Sequence, residues 1–297
     1  MRGLVFIAGC CLPLAFAQAS ANSSSVSAGE KIVFSSIVNG GDVEVFVVNV
    51  DGSDRRALTT NIADDMLPAW SPDHARIAFA RKARVGKPSI WVMSASGTDQ
   101  HRLGPGTHPS WSPSGSQLAF ERNGVIYTMT DHGKKVRRIT KGTHPAWAQR
   151  GKRIAFERGT RVFLARLDTR AVRLLADRVS GLACEQYGEG DPAVATLSSP
   201  EWSPDASRIV VALGCDYYKS AYAAAKIVGL HGGVIGDIPI NNLALGSRLA
   251  WSPDGMRLAF AVSTFPSWPA RIDTAKLDGT EETTVTETSA RDEDPDW

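Results

Sequence analysis

Short apolar runs that alternate with polar positions are separated along the chain by clusters of Gly, Pro, Ser and Asp, and no stretch shows the 3.6-residue period of a helix. The punctuation repeats. Pro68-Ala69-Trp70-Ser71-Pro72-Asp73, Pro109-Ser110-Trp111-Ser112-Pro113, Pro145-Ala146-Trp147, Pro200-Glu201-Trp202-Ser203-Pro204-Asp205, Trp251-Ser252-Pro253-Asp254-Gly255 and Pro295-Asp296-Trp297 form six anchors, spaced 36 to 55 residues apart. That spacing is what four short strands and their turns require. Seven residues after each of the first five tryptophans stands Ile77, Leu118, Ile154, Ile209 or Leu258, opening a run such as Ile-Ala-Phe or Leu-Ala-Phe. The constant offset predicts one shared register, with a Ser-Pro-Asp-Gly-like turn between the tryptophan strand and the next, because Pro presets φ and Asp or Gly tolerates the remaining turn positions. The third repeat keeps only Gly151 of this turn signal. β-branched or aromatic runs at 43–50, 90–93, 125–129, 162–165 and 270–277 predict third strands, and runs such as 137–140 predict closing ones.

The two ends complement each other. Trp297 closes the sequence without a following strand, whereas Lys31-Ile32-Val33-Phe34 is that following strand without a tryptophan before it. The expectation is an all-β, six-bladed β-propeller of four-stranded blades over residues 22–297. Its C-terminal inner strand pairs with N-terminal strands from residues 31–60, which removes two open sheet edges. The Pro-x-Trp-Ser-Pro-Asp-Gly repeat followed by Ile-Ala-Phe resembles the WD-like repeats of the TolB-like propeller family over residues 30–297. In TolB proper the propeller follows an N-terminal α/β domain, lacking here, and binds a peptidoglycan-associated lipoprotein at the periplasmic face of a cell-envelope complex. Such propellers also serve as non-catalytic modules beside peptidase domains, so the resemblance bears on fold more than on activity.

Residues 1–21 read as a signal peptide: Arg2, an apolar stretch from Leu4 to Phe16, then Ala15-Phe16-Ala17 or Ala19-Ser20-Ala21 as the small-x-small cleavage site. A rival is a lipoprotein box, Ile7-Ala8-Gly9-Cys10, which would anchor the chain through Cys10. Either puts the protein in the periplasm or outside the cell. No other stretch approaches the roughly 20 apolar residues of a membrane span. Lys plus Arg total 33 against 31 for Asp plus Glu, which offers no basic surplus for a phosphate backbone, so nucleic acid is not expected as a partner. A monomer is expected.

Strand order sorts the connections by face. One face carries only short turns; the other carries insertions at 176–199, 214–223 and 263–269, and long loops on one face of a rigid scaffold are where recognition concentrates. These segments hold Tyr187, Tyr217, Tyr218, Phe265 and Trp268, aromatic side chains suited to an interface centre or to packing over the blades beneath. Cys184 and Cys215 fall on the same blade and face. A disulfide between them would close a loop of about 30 residues and contribute about 3 kcal/mol in the chain-entropy model, the other possibility being two free buried thiols.

Three residues before each tryptophan stand Leu67, His108, His144, Ser199, Arg248 and Asp294; one residue before stand Ala69, Ser110, Ala146, Glu201, Ala250 and Asp296. Period-two alternation turns both sets into the central channel, making His108, His144, Glu201, Arg248, Asp294 and Asp296 the channel mouth. His108, His144 and Asp294 could ligate a divalent cation, or the histidines could simply be hydrogen-bonded lining. There is no Gly-x-Ser-x-Gly elbow, phosphate-cradling glycine loop or Cys-x-x-Cys, and Asp73, Asp205 and Asp254 belong to turns. The expectation is therefore a non-catalytic, cofactor-free module that recognises a protein or peptide through the insertion-bearing face and channel mouth. The alternative is a propeller enzyme or lectin acting on a glycan with a metal in the channel.

Overall fold

The computed structural model describes residues 30–38, 41–177, 195–216, 221–240, 242–244, 247–264, 267–287 and 290–297. They form six four-stranded antiparallel sheets arranged as the blades of a propeller. Blade one is β1 (Lys31–Ile37), β2 (Val43–Asn49) and β3 (Arg56–Ala57), with β24 (Arg291–Asp296) as its inner strand. Blade two is β4 (Asp64–Trp70), β5 (Arg76–Lys82), β6 (Ser89–Ser94) and β7 (His101–Pro105). Blade three is β8 (Thr107–Trp111), β9 (Gln117–Glu121), β10 (Val125–Thr130) and β11 (Arg137–Lys141). Blade four is β12 (Thr143–Trp147), β13 (Arg153–Arg158), β14 (Arg161–Arg166) and β15 (Val172–Ala176). Blade five is β16 (Ala195–Trp202), β17 (Arg208–Asp216), β18 (Ala221–Gly229) and β19 (Val234–Ile238). Blade six is β20 (Leu249–Trp251), β21 (Arg257–Thr264), β22 (Ser267–Lys276) and β23 (Thr283–Thr284).

The ring closes as the two ends of the sequence imply. β24 pairs with β1 through Val33↔Asp296, Ser35↔Glu293, Ser36↔Asp292 and Ile37↔Arg291. Trp297 Nε1 donates to Glu30 Oε2 at 3.1 Å, and Arg55 reaches the fully buried Asp292 at 3.2 Å.

The core lies between blades. The second strands present Phe79, Phe120, Phe156 and Phe260, each essentially inaccessible to solvent, and each such burial contributes about 2–3 kcal/mol. Three of the tryptophans tie their blade to the one before it. Trp111, Trp202 and Trp251 donate Nε1 to the carbonyls of Ala69, Ala146 and Glu201. Arg76, Arg153 and Arg208 lie over Trp111, Trp202 and Trp251 at 4.7, 4.9 and 5.4 Å from the ring centroids, so a cation covers the rim of the interfaces between blades two and three, four and five, and five and six. The Ser-Pro-Asp turns fold as their chemistry dictates. Asp73, Asp205 and Asp254 each accept from a serine hydroxyl two residues back and from a backbone N–H two residues on.

The structure corrects the insertions in blades five and six. Expected as loops, they are in large part longer strands: the β17–β18 hairpin continues to Cys215↔Tyr222 and Asp216↔Ala221, and the β21–β22 hairpin to Thr264↔Ser267. An antiparallel ladder lengthens wherever both chains stay extended, whatever the side chains, and a composition rich in Ser, Tyr and Ala does not prevent it. Cys215 thus lies in β17 and Trp268 in β22. Tyr187, Tyr217, Tyr218, Phe265, Cys184, Cys10 and the leader lie outside the described residues. Among the described residues no helix is long and apolar enough to cross a membrane.

Candidate functional site at the channel mouth

Proline shapes the inner strands. Leu67, His108, His144, Ser199 and Asp294 each precede a proline, and all five adopt left-handed backbone with φ between 47 and 55°. Arg248 precedes Leu249 instead and is not left-handed. A proline denies its predecessor the right-handed helical region and brings no N–H to the ladder. The pairing accordingly skips a step in blades two to five, between Met66 and Ala69, Thr107 and Ser110, Thr143 and Ala146, and Ser198 and Glu201. Each skip is a β-bulge, which re-aims one side chain, and each non-glycine left-handed residue costs about 1 kcal/mol or more. Five of the six side chains three residues before the tryptophans, all but Arg248, therefore enter the channel through bulges and not through uninterrupted alternation.

Leu67, His108, His144, Ser199, Arg248 and Asp294, with Glu201 and the prolines, line a cavity of about 60 Å³ at the mouth. Arg248 bars the way further in. Its guanidinium lies 3.0 Å from Asp296 and 3.5 Å from Glu201, and donates to the carbonyl of Pro68 across the channel at 2.7 Å. Beyond it a chamber of about 250 Å³ is lined by the tryptophans, Ser-Pro turns and Asp296, while Arg248 and Glu201 border both spaces. Asp296 thus belongs to the far side of this barrier and the other five expected residues to the mouth.

Confinement shifts the acids. Burial, reinforced by Asp296 and only partly offset by Arg248, pushes Glu201 up to about 7. Burial, with Glu293 adding to it, pushes Asp294 up to about 6. Burial likewise raises Asp296, and the surrounding carboxylates hold Arg248 above its ordinary value despite its own burial.

Blades three and four carry a duplicated arrangement. Gly106-Thr107-His108-Pro109 followed by Ala119-Phe120-Glu121-Arg122 recurs as Gly142-Thr143-His144-Pro145 followed by Ala155-Phe156-Glu157-Arg158. Glycine is required at the start: a Cβ on Gly106 would sit 2.6 Å from Phe120, and one on Gly142 would sit 2.4 Å from Phe156, both at positive φ. This close approach sets each histidine beside the glutamate of its own blade, His108 Nδ1 3.4 Å from Glu121 Oε2 and His144 Nδ1 3.1 Å from Glu157 Oε2. The two imidazoles meet edge to face at 4.0 Å between centroids. Neither Nδ1 has the alignment of a hydrogen bond, so both atoms are buried without a partner despite lying within ion-pair distance of a carboxylate. Burial lowers His108 below its ordinary value although Glu121 opposes this. For His144 burial acts in the same direction, but Glu157, Glu121 and Asp294 outweigh it and raise the imidazole. Glu121 is lowered, the two histidines overcoming its burial.

Among the described residues, His108, Glu121 and His144 can bring one donor atom each within 4.8 Å of one another. Asp294, expected from the sequence to complete this set, is not part of it. Glu121 was overlooked because it ends a strand that reads as core; the tandem Ala-Phe-Glu-Arg was the available signal.

No family profile matches the chain, and no curated protein does. Its resemblances are structural. The solved TolB of Acinetobacter baumannii superposes with a TM-score of 0.73 at 17% identity, over 92% of this chain and 67% of that one. A chain of a nidogen/laminin complex gives 0.59 at 10% identity over 90% and 97%, and an oligogalacturonate lyase in complex with manganese gives 0.53 at 11% over 85% and 73%. At these identities the likeness is one of fold, and the fold is a TolB-like propeller, matching 67% of the length of that TolB chain.

Proposed function

We propose that this chain is an exported, non-catalytic recognition propeller that seats an extended segment of a protein or peptide partner at the channel mouth. The observation that carries the reading is the barrier at Arg248. A mouth of about 60 Å³, sealed below by a guanidinium held between two carboxylates, accommodates the tip of a segment and a few waters but no passage. Bulges aim polar side chains of several blades at that one point, the pre-organisation that recognition requires. The face around the mouth supports the same reading. Blades five and six send up hairpins with strands of eight to ten residues, against five to seven in the middle strands of blades two to four. Tyr187, Tyr217, Tyr218, Phe265 and Trp268 would supply the aromatic anchors, and a Cys184–Cys215 disulfide would tie two of the insertions together.

The test is affinity capture from cell-envelope extract with residues 22–297 as bait, beside the variants Trp268→Ala and Asp294→Asn. A partner retained by the wild-type chain and reduced at least about tenfold by either variant supports the reading, tenfold being the effect of losing one ordinary anchor. A partner insensitive to both variants, or hydrolysis of an envelope glycan by the bait, overturns it.

A further inference from the structure

We propose that His108, Glu121 and His144 form a binding site for a divalent transition-metal ion of the Zn²⁺ class, with Glu157 as the positioning residue that orients His144. The inference is independent of the partner. It rests on the duplicated Gly-Thr-His-Pro and Ala-Phe-Glu-Arg segments and on what their geometry leaves undone.

Two donor atoms bound to one ion at about 2.1 Å and near-tetrahedral angle lie about 3.4 Å apart. His108 Nδ1 and Glu121 Oε2 are 3.4 Å apart, longer than a good N–H···O contact and poorly aligned for one. The second imidazole stands 4.0 Å from the first, ring to ring, and one donor atom from each of the three residues lies within 4.8 Å of the others, so side-chain turns alone would bring them onto one ion. Two imidazoles with one carboxylate suit first-row divalent ions and disfavour Ca²⁺ and Mg²⁺, which take oxygen ligands. Both histidines line the mouth cavity, which leaves coordination positions on that side for water or for a ligand atom. Glu157 is held in place by the backbone N–H of Ser199 and the hydroxyl of Thr143. It stands 3.1 Å from His144 Nδ1 without the alignment of a hydrogen bond, and a turn of the imidazole onto an ion would bring the two into the relation by which a carboxylate fixes the ring of a metal-bound histidine.

The experiment uses the full chain stripped with chelator and titrated with Zn²⁺ and with Mn²⁺. Binding is followed by calorimetry and elemental analysis, and a Co²⁺ absorption spectrum of the wild-type chain reports ligand geometry without any mutation. One Zn²⁺ per chain is expected, with a low-symmetry four- or five-coordinate Co²⁺ spectrum. His108→Asn and His144→Asn keep a residue that tolerates left-handed backbone while removing the imidazole. Each should weaken Zn²⁺ at least about tenfold, as should Glu121→Gln, and Glu157→Gln should weaken it about tenfold through the second layer. Asp294→Asn should change affinity by no more than about threefold, a through-space charge effect. Absence of stoichiometric metal, or binding that survives the double histidine variant, overturns the assignment; loss of binding with Asp294→Asn equal to that with Glu121→Gln overturns the ligand set.

Discussion

On the blade-six side of the channel one guanidinium meets two carboxylates, Glu201 and Asp296; on the side of blades three and four two imidazoles face two carboxylates, Glu121 and Glu157. Both arrangements place ionisable groups in a narrow space, and Arg248, His108 and His144 stand at equivalent positions of the same repeat. They differ in how completely they are satisfied. Arg248 is charged at every accessible pH and spends its donors on Asp296, Glu201 and the Pro68 carbonyl, so that side is internally closed. The histidines leave two buried nitrogens without hydrogen-bond partners, so that side is open to something from outside. Equivalent positions in a repeat can thus be divided between holding the ring and waiting for a ligand.

The comparison breaks most completely if the ring is opened. Removing residues 290–297 takes away β24, Asp294, Asp296 and the buried Trp297, and exposes the edge of β1. The truncated chain should lose its cooperative thermal transition and scatter light on warming; a melt like that of the intact protein would show that β24 does not hold the wall together. Next in size is Arg248→Ala, which leaves two carboxylates confined without a counter-ion and should cost about 3 kcal/mol in urea unfolding, against under about 1 kcal/mol for His108→Asn across the channel. Equal losses at the two positions would erase the distinction between a closed side and an open one.

The smallest effect is a pH dependence. Glu201 sits at about 7 where an unfolded chain has it near 4.5, so the folded state holds its proton longer and loses stability on this account as pH rises from about 4 to about 7. Glu201→Gln removes that liability. It should raise stability on the order of 1 kcal/mol at pH 8, with the gain shrinking toward zero at pH 4, as followed by melting temperature across that range. A gain that grows on acidification would mean that the Glu201 carboxylate stabilises the barrier.

Much of this was legible in the residues alone. Six tryptophan anchors, five of them Pro-x-Trp, and a fixed offset from the first five to the next apolar run specify the blades, and the mismatched ends specify how the ring closes. His108 and His144 stood out as equivalent positions. The left-handed bulges were written in the prolines that follow Leu67, His108, His144, Ser199 and Asp294, but alternation assumes an unbroken ladder and proline breaks it. Glu121 lay at the end of an apolar run, where only its twin Glu157 marks it as more than a strand terminus. The hairpins of blades five and six escaped because polar, aromatic and small residues read as loop when only one strand of a pair is considered.

The contact between Trp297 and Glu30 joins residues 267 positions apart, whereas every other blade is assembled from neighbours in sequence. During synthesis five blades can pair as soon as their own strands emerge, but blade one must wait with its inner edge bare until residues 291–296 have been added. Contacts of such long separation form slowly. The ring therefore has a built-in order of assembly in which the first strands made are the last to be completed.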